Sequence, residues 1–162
     1  MRIVKFSCVA LAIALVAACG NNGSAKSSPP TVSTTTVAPL TKAAYVARAN
    51  AICQRMNRRV NAIADPGNDP AKLVVAFHRI GAYIDSTLVQ LRALPAPAGD
   101  GPQLSSIYAK VAALRRGMDV YVAALRARDR LAAAAAIRRV NALGNAADAA
   151  SNKYGLKVCG SS

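Results

Sequence analysis

The sequence predicts an all-α protein, an antiparallel up-down four-helix bundle with a C-terminal strap. Three observations carry this. From Thr41 to Tyr154 the apolar residues recur at spacings of three and four, which gathers them on one face of each successive helix. Every proline in that stretch falls in one of two places, positions 66–70 or 95–102, so the breaks are few and sharp. Connections this short make sequential helices antiparallel neighbours.

The first helix is predicted from Lys42 to about Ala64, with Thr41 as N-cap. Its stripe is Tyr45, Ala49, Ile52, Met56, Val60 and Ile63, and Asp65-Pro66-Gly67-Asn68 ends it. Asp69-Pro70 opens the second as an N-cap followed by an N1 proline. That helix carries Leu73, Phe77, Ile80, Ile84, Leu88 and Leu91 inward and stops at Leu94-Pro95-Ala96-Pro97. Asp100-Gly101-Pro102 opens the third, with Leu104, Ile107, Val111, Leu114, Met118, Val122 and Leu125 inward. The fourth runs to about Tyr154, with Ala133, Ile137, Val140, Leu143, Ala147, Ala150 and Tyr154 on its inner face. The link at Arg126–Arg130 holds neither Gly nor Pro, so a merged third and fourth helix is the alternative there. Each helix is roughly 35 Å long at 1.5 Å per residue. The tail Tyr154-Gly155-Leu156 predicts a helix end with glycine in the left-handed position and an apolar residue after it.

Upstream of Thr41 the composition changes. Met1 to Lys5 carries two positive charges, and Phe6 to Ala18 is an apolar run of 13 residues. That fits the apolar region of a secretory signal and is shorter than the ~20 residues a membrane-spanning helix needs. The run ends in Val16-Ala17-Ala18-Cys19, which resembles the lipobox of bacterial lipoprotein signal peptides. The resemblance implies cleavage before Cys19, a diacylglyceryl group on its thiol, and two acyl chains that hold the protein stably at a membrane. Residues 20–40 contain eight Ser or Thr and three Pro, a composition that buries too little surface to fold alone. The expected organisation is therefore a lipoprotein signal peptide at 1–18, the lipidated cysteine and a flexible tether at 19–40, and the helical domain at 41–160.

Charge and cysteine content narrow the function. The chain carries a net charge of +14, with no Glu and no Trp, and +12 remains once Arg2 and Lys5 are removed. Such a balance favours acidic partners: anionic lipid, an anionic wall polymer or an acidic protein, with nucleic acid not expected outside the cytoplasm. With Cys8 lost with the signal and Cys19 lipidated, Cys53 and Cys159 remain as one pair in an oxidising compartment, hence one disulfide. In the bundle, Cys53 lies about 16 Å up the first helix, a span that the five residues from Gly155 to Cys159 cover when extended.

The lipobox, the Ser/Thr/Pro tether, the helix bearing Ala49-Asn50-Ala51-Ile52-Cys53 and the terminal Tyr154-Gly155-Leu156-Lys157-Val158-Cys159-Gly160 together resemble small actinobacterial lipoproteins of the mycobacterial type, with a helical domain and a cysteine near each end of it. The resemblance implies location in the cell envelope, on the extracytoplasmic face of the membrane, and brings no catalytic residues with it.

No catalytic constellation, metal set or cofactor motif emerges from the residues, so a non-catalytic binding module is expected. His78 is the only histidine, with Asp85 seven residues on, about 10.5 Å along a helix. Asn50, Asn57 and Asn61 form a polar strip on the first helix that, with His78 and Asp85, suggests a small-molecule site between helices. Asp69, Asp100 and Asp129 stand at helix starts, where capping accounts for them. Basic residues concentrate at the end where the first and second, and the third and fourth, helices connect. That distal half carries twelve basic and four acidic residues, against six and three in the proximal half. Arg55, Arg58, Arg59, Arg126, Arg128 and Arg130 are the expected face for an anionic partner. The alternative expectation is a carrier of a small ligand or lipid in a pocket between helices.

Overall fold

Four helices form, in order: α1 (Lys42–Asn61), α2 (Pro70–Arg92), α3 (Gly101–Arg126) and α4 (Arg130–Tyr154). They belong to a computed structural model that describes residues 38–161. The signal segment, Cys19 and the tether up to position 37 lie outside the described residues. No described helix is long and apolar enough to cross a membrane.

Local chemistry sets the helix ends. Thr41 caps α1 by accepting from the Ala44 N–H at 3.2 Å. Asp69 accepts from the Ala71 and Lys72 N–H groups at 2.8 and 3.3 Å, with Pro70 behind it in the first turn. Asp129 accepts from the Ala132 N–H at 2.9 Å. Each satisfies donors that a helix start leaves without a partner. α1 stops three residues before the expected Ala64, because the Ile63 N–H turns back to the Val60 carbonyl and the Asp65 carboxylate takes the Gly67 N–H at 2.9 Å. α2 stops at Arg92, ahead of Leu94, whose place before Pro95 disfavours helical geometry.

The third and fourth helices are separate. Arg128 has φ 57°, the left-handed region that ends helices. Its N–H bonds to the Leu125 carbonyl at 3.1 Å, and the Asp129 N–H bonds to the Ala124 carbonyl at 3.1 Å, the paired bonds of a Schellman ending. The same ending closes α4, with Gly155 at φ 109°, Gly155 N–H to Asn152 carbonyl at 3.1 Å and Leu156 N–H to Ser151 carbonyl at 2.9 Å. Leu156 is then buried in the core.

The register is antiparallel throughout. Arg55 on α1 reaches Gln90 on α2, and Arg59 lies over Tyr83. Between α2 and α3, Phe77 meets the edge of Tyr121 at 4.8 Å between ring centres, Asp85 pairs with Arg115, and Leu91 accepts from Tyr108. α1 packs on α2, α2 on α3 and α3 on α4, but no Cα of α1 comes within 8 Å of a Cα of α4. The fourth seam of the bundle is closed by the C-terminal strap instead.

The strap differs from its expected extended form. It coils, with the Leu156 carbonyl accepting from both Cys159 and Gly160 N–H groups at 3.1 and 3.0 Å. Both flanking helices hold it. On α1, the Asn50 side-chain oxygen accepts from the Val158 N–H at 3.1 Å, and the Asn57 amide donates to the Val158 carbonyl at 3.2 Å. On α4, Asn152 donates to the Gly160 carbonyl at 2.7 Å. Gly160 lies so close to α4 that a Cβ there would stand 2.7 Å from the Asp148 carbonyl oxygen, so only glycine fits. Cys53 and Cys159 form the expected disulfide, Cα–Cα 5.1 Å, across a sequence separation of 106. Coiling against α4 brings Cys159 to α1 by packing rather than by reach.

The described residues, 38–161, fall in one compact unit with this disulfide inside it. A loop of that length adds roughly 4–5 kcal/mol through lost chain entropy. Cys159→Ser is expected to lower the urea midpoint of the oxidised protein by an amount equivalent to roughly 3–5 kcal/mol. A change below about 1 kcal/mol, read in the same unfolding curves, contradicts the clasp.

Candidate functional site

Twelve of the 26 residues of the predicted core stripes are only half-buried, and five of them border one space. Met56 and Val60 on α1, Ile80 on α2, and Val111 and Leu114 on α3 face a cavity of about 270 Å³ rather than one another. Ala147 and Ser151 of α4 and Leu156 and Cys159 of the strap complete its wall, with Asn57, Asn61, Asp148 and Ser161 also bordering it. The physical cause is the seam. The strap fills the space between α1 and α4 in the lower half of the bundle. Above it the helices are apart, and the alanines of α4 are too small to bridge the gap. Sites for small molecules run from about 300 to 1,000 Å³ and are mostly apolar with a few placed polar groups, so this one, at about 270 Å³, falls just below that range and suits a small guest.

Two buried residues with aliphatic hydroxyls stand in the wall. Thr87 is 7% exposed and Ser151 2% exposed, and both line the cavity. No buried side-chain oxygen or nitrogen among the described residues lacks a hydrogen-bond partner, and these two hydroxyls are polar groups that a guest meets in an otherwise mostly apolar wall.

At the proximal end lies a tyrosine network that no sequence spacing announced. The Tyr108 hydroxyl donates to the Leu91 carbonyl at 3.3 Å, so the Tyr45 hydroxyl donates to Tyr108. Tyr45 also meets Tyr154 edge to face at 6.1 Å. The Tyr154 hydroxyl donates to Asp100 at 2.6 Å, and the Lys42 ammonium sits 4.4 Å above the Tyr154 ring. Asp100 was expected to cap α3; it makes no side-chain cap bond and serves Tyr154 instead. Burial, then the hydrogen bond to Tyr108, pushes the Tyr45 phenol far above its usual range. Burial and the bond to Asp100 do the same for Tyr154. Burial also raises Tyr108, against the opposing bond from Tyr45 and the charge of Arg92.

The other sequence candidates disperse. Asn50 and Asn57 hold the strap, and Asn57 and Asn61 border the cavity. His78 and Asp85 do not join them. His78 accepts from Arg126 at 2.7 Å, and Asp85 pairs with Arg115, which also pairs with Asp119. The six arginines expected as one face fall into two groups. Arg126, Arg128 and Arg130 line a shared cleft with the start of α2. On α1, Arg55 and Arg59 lean onto the flank of α2 at Gln90 and Tyr83, and Arg58 stands exposed in the last turn. Among the described residues no group of three or more His, Cys, Asp or Glu is placed to hold a metal ion. No family model, no curated protein and no solved structure matches the chain.

Tyrosines in an unfolded chain lose their protons near pH 10, while Tyr45, Tyr108 and Tyr154 hold theirs in the fold. Their contribution to stability is complete below about pH 10 and falls as the pH rises above it. The urea midpoint is expected to drop steeply between about pH 10 and 11, and less steeply in Tyr45→Phe. A midpoint flat across that range in the unsubstituted protein contradicts the network.

Proposed function

We propose that this protein is a lipid-anchored, extracytoplasmic, non-catalytic binding module that carries a small, mostly apolar ligand between its helices. The observation that carries the reading is the cavity on the open seam: apolar walls from all four helices, the hydroxyls of Thr87 and Ser151 among them, and a polar rim. The ligand that fits is a short amphiphile, with an apolar body among Met56, Val60, Ile84 and Met118 and an alcohol, carbonyl or ester within reach of Thr87 or Ser151. The lipobox at Cys19 supports the address, and the likeness to actinobacterial envelope lipoproteins supports the setting.

The test uses the oxidised chain from Gly20 onward and a neutral fluorescent naphthylamine. Saturable binding of one probe per chain is expected, displaced by a medium-chain alcohol. Ala147→Leu fills the wall and is expected to weaken binding roughly ten-fold, about 1.4 kcal/mol, with helicity unchanged. Val60→Phe at the half-buried edge gives the same result without touching a buried alanine. Absence of saturable binding, or affinity indifferent to both substitutions, contradicts the reading. For the anchor, the exported protein is expected to incorporate a palmitate analogue that Cys19→Ala does not; label retained in the variant removes the lipid from the account.

A further inference from the structure

We propose that the distal end of the bundle, where α2 and α4 begin, docks on an anionic lipid bilayer through two apolar tips set among basic side chains. Leu131, in the first turn of α4, is 85% exposed, and Val75, in the second turn of α2, is 54% exposed. Arg128 and Arg130 flank Leu131. Lys72 and Arg79 stand three and four residues either side of Val75, on the same helical face, and all three border one surface depression. The two helix starts are neighbours, because Pro70 and Val74 of α2 share a cleft with Arg126, Arg128 and Arg130.

A soluble polyanion needs only the charges. A bilayer surface also accepts the leucine and valine, because its headgroup region takes up apolar side chains while anionic lipids attract lysine and arginine. That asymmetry selects the bilayer. Four acids at this end reduce its charge without cancelling it, against twelve basic residues. Asp65, Asp69 and Asp129 are each bonded to backbone N–H groups at turns or helix starts. Arg128 adds a further sign. It occupies the left-handed helix-end position that Gly155 fills on α4, at a cost of roughly 1–2 kcal/mol for a residue with a side chain. Unusual backbone conformations that cost stability concentrate at working surfaces. If the chain is anchored at Cys19, its 21-residue tether extends to at most about 70 Å, roughly twice the length of a helix here, so the anchor leaves this end free to reach the membrane.

The test is flotation of the oxidised chain from Gly20 onward, which lacks the lipid, with vesicles of phosphatidylcholine alone or mixed with phosphatidylglycerol. Binding is expected only to the mixed vesicles and is expected to fall at high salt. Arg128→Gln and Arg130→Gln are each expected to lower the partition about five-fold. Leu131→Asn, at a site too exposed to disturb folding, is expected to lower it several-fold while leaving retention on a polyphosphate column unchanged. Equal binding to both vesicle types overturns the proposal. So does vesicle binding that ignores Leu131→Asn, an outcome that assigns the basic end to a soluble polyanion or wall polymer. The cavity is untouched by these variants, so failure here leaves the naphthylamine result standing.

Discussion

The C-terminal strap is the constraint on which the rest of this structure depends. A four-helix bundle ordinarily closes by packing its last helix on its first. Here a coiled segment lies between them, bonded to Asn50 and Asn57 on one side and Asn152 on the other and clasped to Cys53. The clasp ties the two ends of the domain together, and beyond the contact of Tyr45 with Tyr154 it stands between α1 and α4. Leu156, buried beneath it, anchors the strap in the core, so the wedge is part of the hydrophobic interior rather than an appendage. The seam above the wedge is left without a filler, and the cavity follows from that.

Much of this was legible in the chain. The helices, three of their caps, the glycine-led ending of α4 and the disulfide each rest on a signal in the chain: a period of three and four, a capping side chain, a glycine before an apolar residue, a cysteine pair in the helical domain. What escaped was not local. The stripe of Met56, Val60, Ile80, Val111 and Leu114 reads as ordinary core, because periodicity states which face is apolar and not how far the opposite helix stands from it. The asparagines of α1 read as a polar flank until the strap gave them a backbone to bind. Asp100 looked like a cap because it precedes a helix; Tyr154, 54 positions away, competes for it and wins. The ending of α3 used arginine where glycine is usual, so the link between α3 and α4 stayed ambiguous until its hydrogen bonds were in view.

The two ends of the bundle have different chemistry. The proximal end is tied by tyrosine hydroxyls to a carbonyl, a carboxylate and one another, a set of hydrogen bonds that holds α1, α3 and α4 together at the start of α1. The distal end is charged, with its acids used by backbone donors and its arginines and apolar tips turned outward. Between them lies the unfilled interior. A domain built this way has a tyrosine-bonded base, an unfilled interior and a basic head, the parts that the proposed anchored carrier of a small amphiphile needs.

The most direct measurement is NMR of the two methionine methyl groups that line the cavity, Met56 and Met118, in the oxidised chain from Gly20 onward with a medium-chain alcohol added. The account predicts intermolecular nuclear Overhauser contacts from the alcohol chain to both methyls, and their loss when the Cys53–Cys159 disulfide is reduced and the strap released. Contacts absent from both methyls in the oxidised protein would contradict it.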